Sequence, residues 1–293
     1  MYDVTALGEL LIDFTDSGTS PAGQKVFERN PGGAPANVLV ALQRLGHSTA
    51  FVGKVGCDMH GAFLRQTLEE NDVDCSGLAS DPDYFTTLAF VALDPTGERT
   101  FSFARKPGAD TQLRADEPNH DVLQNTRDAG AILSYDPNYR ASLWPSAEVA
   151  AQQMRSVVGM MDLVKISAEE TTLLTDESDP NEAARKILAQ GPRVVVVALD
   201  ADGAMVVTPE GARMVPSFRV DATDTTGAGD SFWGGFLCAL LDSGKDVSGL
   251  TLDDAASFAR FGNAVASLCV QGRGAIPAMP SRDAVEEVLA ANA

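Results

Sequence analysis

The chain has 293 residues, 44% of them hydrophobic, and a formal net charge of −19, with an isoelectric point near 4.4. That length accommodates one large α/β domain or two small ones. So acidic a surface repels DNA, RNA and anionic lipid, and no basic cluster offsets it, which excludes nucleic-acid and membrane-surface partners.

The opening MYDVTALGELLIDF carries acidic residues and no basic region, so it does not read as a signal peptide. No apolar run is long enough to cross a bilayer, and a cytoplasmic location is the expectation. The four cysteines (Cys57, Cys75, Cys238, Cys269) form no CxxC pair and read as reduced thiols. The three histidines (His47, His60, His120) lack ligand spacing, which argues against a histidine metal site or a histidine-centred triad.

Along the chain, strand-like and helix-like pieces alternate, the pattern of an α/β layered fold. Residues 4–12 read as a strand, 36–45 as a helix with Val38, Ala41, Leu42 and Leu45 on one face, 49–55 as a strand and 60–70 as a helix. The pattern then changes. Residues 86–93 and 99–105 alternate around the turn DPTGE, a hairpin set apart from a parallel sheet, and 24–28 is a candidate extra strand beside it. Alternation resumes with a strand at 131–135, a helix at 147–157, a strand at 163–166, a helical region over 168–190, and strands at 194–199 and 204–208. The last third reads as helices at 230–241, 251–270 and 281–289.

Chemistry concentrates in three places. In DTTGAGDSFWGGF, residues 224–236, small residues run straight into an aspartate at a helix start. Free N–H groups and the helix dipole make such a place an anion site. Asp230 would repel a bound phosphate, so its natural task there is to take a proton from an attacking hydroxyl. A plain helix cap after a glycine turn fits the stretch equally well. In NPGGAPAN, Gly32 and Gly33 break the chain before a helix whose first turn holds Asn37, either as a local cap or as a donor and acceptor for a polyol. Acids at presumed strand ends (Asp13, Asp136, Glu169, Glu170) lie where open α/β sheets bind ligands, although each alone also suits a solvated surface. Asp13 ends strand one in this reading and is a candidate for sugar hydroxyls; Glu170 is a candidate for Mg2+ through water. GxxxxGK[ST], HRD, DFG and a GxGxxG with a ribose-binding acid are all missing, which excludes P-loop and protein-kinase chemistry and argues against nicotinamide chemistry.

Together these motifs resemble the PfkB (ribokinase-like) carbohydrate kinase family. GGAPAN at 32–37 is similar to the family's first signature and points to its fructokinase branch, and DTTGAGDSFWGGFL at 224–237 to its second. FARKPGAD (103–110), YDPNYR (135–140) and VKISAEE (164–170) fall where fructokinases carry similar words. The resemblance implies a three-layer α/β/α ribokinase-like domain over 1–293, with a mainly parallel central sheet and a small β-sheet lid inserted at about 14–30 and 84–107. It implies an ATP-dependent sugar kinase that makes fructose 6-phosphate from fructose. The alternatives are a kinase for 2-keto-3-deoxygluconate or ribose, or a non-catalytic sugar or nucleotide binder.

Residue by residue, the resemblance makes Asp230 the catalytic base and the N–H groups of Gly227, Ala228 and Gly229 the anion hole. Asp13, Gly32, Gly33, Asn37 and Arg105 would bind the sugar. Lys165, Ser167, Asn263, Gly274 and Ala275 would serve the nucleotide, with Asn263 at the adenine. Glu170 would organise Mg2+ through water, and Asp224 and Thr226 match a monovalent-cation (K+) region. Pairing of lid strands between subunits makes a homodimer the candidate assembly. The sequence departs from the family in three places. Leu39 replaces a small residue, and Ala198-Leu199-Asp200 stands where a glycine is common. The interval between Asp110 and Ala131 is also short by about 20–30 residues for a strand and a crossover.

Overall fold

The structure, a computed structural model, describes residues 2–93, 99–114 and 130–292. The DPTGE turn (94–98) and most of the short interval before Ala131 (115–129) lie outside the described residues. The chain divides into two compact units, Met1–Gln124 with Gly274–Met279, and Asn125–Arg273 with Pro280–Ala293.

The first unit contains two sheets. Strands β1 (Val4–Leu7), β4 (Thr49–Gly56) and β5 (Asp74–Asp81) form a parallel sheet in the order β1-β4-β5. The central strand, TAFVGKVG, is buried throughout, as a parallel strand covered on both faces must be. Strands β2 (Leu11–Thr19), β3 (Lys25–Gly32), β6 (Leu88–Leu93) and β7 (Arg99–Ala104) form a small mixed sheet in the order β3-β2-β6-β7. Helices α1 (Ala34–Arg44) and α2 (Met59–Glu70) complete the unit. Asp58 caps α2, its Oδ1 accepting from the N–H groups of His60 (2.8 Å) and Gly61 (2.9 Å). Arg44, in the last turn of α1, donates to the carbonyl of Met279 at 2.5 Å and so holds the Gly274–Met279 segment.

The expected strand 4–12 is two strands. β1 pairs with β4, whereas from Leu11 onward the chain pairs with β3 and β6. Asp13 therefore lies inside β2, in the small sheet, and does not end strand one. The break falls at Gly8, where a Cβ would sit 2.6 Å from Pro35 Cγ. β5 is absent from the sequence reading because DCSGLASD has little apolar alternation.

The second unit is a three-layer α/β/α sandwich. Its sheet runs β12-β11-β10-β9-β8, from β8 (Ser134–Tyr135), β9 (Leu163–Ser167), β10 (Val194–Ala198), β11 (Gly203–Thr208) and β12 (Gly211–Pro216). The first three strands are parallel and the last two antiparallel. One face (Val164, Ile166, Val195, Val197) packs on Met154 and Val158 of α3 (Ala147–Val158), Leu174 of α4 (Ala168–Thr175) and Ile187 of α5 (Pro180–Leu188). The alternate residues, Lys165 among them, face the other way. There lie α6 (Ala228–Ser243) and α7 (Leu252–Cys269), which cross where a Cβ on Gly235 would sit 2.9 Å from Gly262 Cα. Helix α8 (Arg282–Ala291) packs on α7.

Here too the expectations shift at the edges. The helical region 168–190 is two helices, because Asp176 turns left-handed (φ 62°) and ends the first. The strand 131–135 is ordered as a strand only at Ser134–Tyr135, and β12 was not expected.

Candidate functional site

In the first unit, GGAPAN leaves β3 and enters α1. Gly33 is the helix's N-cap with φ 114°, a conformation that favours glycine, and a Cβ there would collide with the carbonyl oxygen of Glu9. A Cβ on Gly32 would collide with Asp13 Oδ2. The two glycines thus let the start of α1 approach Asp13 and the Gly8–Leu10 bend closely. Asn37 is buried in the first turn of α1, its N–H donating to Gly33 O at 3.0 Å.

Arg105, just past β7, is ion-paired through Nη2 to Asp110 Oδ2. The Asp110 side chain is 1% exposed and accepts from Thr87 Oγ1 at 2.6 Å. Glu9 Oε1 accepts from the Ala34 N–H at 3.1 Å. Removal from water raises the Glu9 carboxyl above its ordinary value against the pull of its N–H donors and of Arg105. Below the pair, Lys54 Nζ reaches Asp81 Oδ2 (3.1 Å) and Gln112 O (2.8 Å), holding the Ala109–Gln112 turn that carries Asp110.

In the second unit, Gly227 is left-handed (φ 75°) and α6 begins at Ala228, so Ala228, Gly229 and Asp230 form its first turn. The Ala228 N–H closes a turn on Thr225 O at 3.2 Å. Behind this start stands Lys165, whose Nζ lies 3.2 Å from where a Gly229 Cβ would be. Lys165 donates to Asp136 Oδ2 at 2.5 Å, with the two side chains 8% and 15% exposed. Burial alone would push the Lys165 ammonium down, but the carboxylates of Asp136, Asp230 and Glu170 outweigh it and hold it above the ordinary lysine value.

Ser167 and Glu170 form a capping box at the start of α4. Glu170 Oε2 accepts from Ser167 N–H (2.8 Å) and Oε1 from Tyr139 N–H (2.6 Å). Burial, reinforced by Asp136, raises the Glu170 carboxyl against those donors. Asp224 Oδ1 accepts from the N–H (2.9 Å) and hydroxyl (2.7 Å) of Thr226. Asn263, buried on α7, donates to the carbonyls of Val215 (3.1 Å) and Pro216 (3.2 Å), so its amide nitrogen holds the end of β12. Gly274 (φ 75°) and the buried Ala275 belong to the first unit.

The second unit therefore gathers Lys165, Asp136, Glu170 and Asp230 about one helix start. A glycine-walled helix N-terminus backed by a buried ammonium suits a phosphoryl group. Hard carboxylate oxygens such as those of Glu170 and Asp136 suit a hydrated divalent cation. The residue set thus fits a nucleotide and its magnesium. Three acids at these sites leave little trace in the sequence: Asp136 follows β8 in DPN, and Glu9 and Asp110 are single acids in GEL and PGAD.

A family model described as pfkB family carbohydrate kinase matches residues 1–282. Probable fructokinase-6, chloroplastic, of Arabidopsis thaliana is 39% identical over 317 aligned positions, covering 98% of this chain and 82% of the relative. Those positions outnumber the 293 residues here, so the relative carries stretches that this chain lacks. A crystal structure of fructokinase with bound ATP from Xylella fastidiosa superposes with a TM-score of 0.89 at 32% identity, covering 100% of this chain and 99% of that one. The Vibrio cholerae fructokinase bound to fructose, ADP and calcium ion gives 0.84 at 32% identity, covering 97% of each chain.

Proposed function

Because this chain belongs to the pfkB family of carbohydrate kinases and has its ribokinase-like α/β fold, we propose that it transfers the γ-phosphoryl group of ATP to D-fructose, forming fructose 6-phosphate. The observation that carries the reading is the start of α6: glycine backbone, a carboxylate in the first turn, and the Lys165–Asp136 pair, its lysine buried, behind it. The choice of fructose is supported by the relatives named fructokinase and by GGAPAN.

In this mechanism Asp13 and Asn37 hold sugar hydroxyls, with Gly32 and Gly33 leaving room for them. Asp230 accepts the proton of the attacking hydroxyl as the new P–O bond forms. The N–H groups of Gly227 and Gly229, beside the turn closed by Ala228, face the charge that builds on the moving group. Lys165 adds a positive charge beside them, held by Asp136 (2.5 Å). Glu170 would hold Mg2+ through water, and the ion would supply charge neutralisation for the phosphates. Asp224 and Thr226 would take part in a K+ site. The small sheet β3-β2-β6-β7 acts as the lid that excludes water and as the surface of a homodimer. The same reading puts the enzyme in the cytoplasm, where its free cysteines stay reduced.

ADP release measured with fructose, ribose and 2-keto-3-deoxygluconate tests the proposal. Release that depends on fructose supports it, and release with another sugar alone moves the substrate. A competing reading, a sugar binder without turnover, is favoured by the stretches present in the relative and lacking here. Thermal stabilisation by fructose with no ADP release would establish that reading instead.

A further inference from the structure

We infer that Asp110 sets the charge preference of the sugar site: by ion-pairing with Arg105 it makes the site select an uncharged sugar over a sugar acid. This rests on the kinase reading above and names the substrate class within it. In the sequence, Arg105 is the cation beside the sugar residues and would suit a carboxylate equally well. In the structure its charge is already matched. The guanidinium, 18% exposed, sits on a carboxylate that is 1% exposed and is pinned by Thr87 Oγ1 at 2.6 Å. A buried ion pair of this kind is not surrendered to an incoming ligand without leaving one partner uncompensated.

The surroundings act in the same direction. Glu9, at the N-terminus of α1, lies in the field of both Arg105 and Asp110, and Asp13 borders the same pair of glycines. Three carboxylates thus share the region with one guanidinium. The neighbouring cation, Lys54, is itself held by Asp81 at 3.1 Å. A ligand carboxylate placed there meets like charge at short range, which is an effective way to reject it. A hydroxyl or carbonyl oxygen meets a donor instead: Arg105 Nε is buried and has no hydrogen-bond partner among the described residues. Leaving that donor unmet is costly, so a neutral oxygen that satisfies it is favoured.

The test is equilibrium binding, by calorimetry, of D-fructose and of 2-keto-3-deoxygluconate to the full chain and two variants, with folding checked by circular dichroism melting. The wild type should bind fructose at least about tenfold more tightly than the acid. Asp110→Asn frees the guanidinium charge and should shift that ratio about tenfold or more toward the acid. The double variant Arg105→Gln/Asp110→Asn removes both charges together and should keep the ratio within about threefold of the wild type. The inference is overturned if the wild type binds the acid as tightly as fructose, or binds neither. It is also overturned if folded Asp110→Asn leaves the ratio unchanged. Where Asp110→Asn does not fold, the double variant decides, and a selective tenfold loss of the acid overturns the inference. A chain that binds fructose over the acid yet releases no ADP fails the proposed function and keeps this inference; one that releases ADP with fructose yet binds the acid as tightly does the reverse.

Discussion

The carboxylate of Asp13, on β2, occupies the space that a side chain at Gly32, on the paired strand β3, would need, so the two residues are coupled. Any side chain at 32 displaces the group proposed to hold the sugar. Gly32→Ala should raise the KM for fructose about tenfold or more, roughly 1.4 kcal/mol, while the affinity for ATP changes little. Steady-state kinetics with each substrate varied in turn check this. An unchanged KM for fructose would remove Asp13 from the sugar site.

Asp230 stands in the first turn of α6, next to the glycines. Asp230→Asn keeps the shape and removes the base. Its kcat should fall by about 10²–10⁴, with nucleotide binding within about threefold of the wild type. Rapid-quench turnover and equilibrium nucleotide binding read the two quantities separately. Near-normal turnover would falsify the base assignment.

Lys165 compensates Asp136, with Asp230 and Glu170 in its field. Lys165→Met leaves Asp136 and the neighbouring carboxylates without their buried cation and should cost about 3–5 kcal/mol of stability, read from urea unfolding. Adding Asp136→Asn to the same protein should restore part of the loss. If the single variant is as stable as the wild type, the pair does not hold this end of the sheet.

Asp58 gives a pH signature. It caps α2 and also accepts from the Thr86 N–H (2.8 Å) and hydroxyl (3.0 Å). Burial pushes its carboxyl up, but these donors outweigh that and hold it below the ordinary 3.8. Because the folded value is the lower one, the carboxylate's contribution is fully present above 3.8 and is lost as pH falls through the folded value. Asp58→Ala should cost about 1–2 kcal/mol at neutral pH. It should also flatten the acid limb of the stability profile in urea titrations between about pH 2 and 6. A variant whose acid limb matches the wild type would show that Asp58 does not carry it.

The motifs at 32–37 and 224–237 were legible because their chemistry depends on glycine backbone, and glycine at a helix start leaves a direct trace in the sequence. Most long elements were legible as well, since α3, β9, β10 and α7 each bury one periodic apolar set. β5 and β12 were not: polar residues take up much of DCSGLASD, and GARMVP is six residues that open on glycine and end on proline. Asp13 reads as the end of strand one because VTAL and LLI stand only two residues apart and pass for one strand, and only the pairing partners of β1 and β2 separate them.

The sequence by itself determined the family, the alternating α/β layout and the two glycine motifs with Asp13, Asn37 and Asp230 beside them. Those follow from local backbone demands, which a short stretch of residues states completely. Only the tertiary structure decided what each charge faces. Arg105 and Asp110 are five residues apart, and Lys165, within β9, is 29 residues from Asp136, just past β8, yet each cation is matched by a carboxylate largely withdrawn from water. The physical reason is that electrostatic energy depends on separation in space and on burial, and neither is written in the order of the residues.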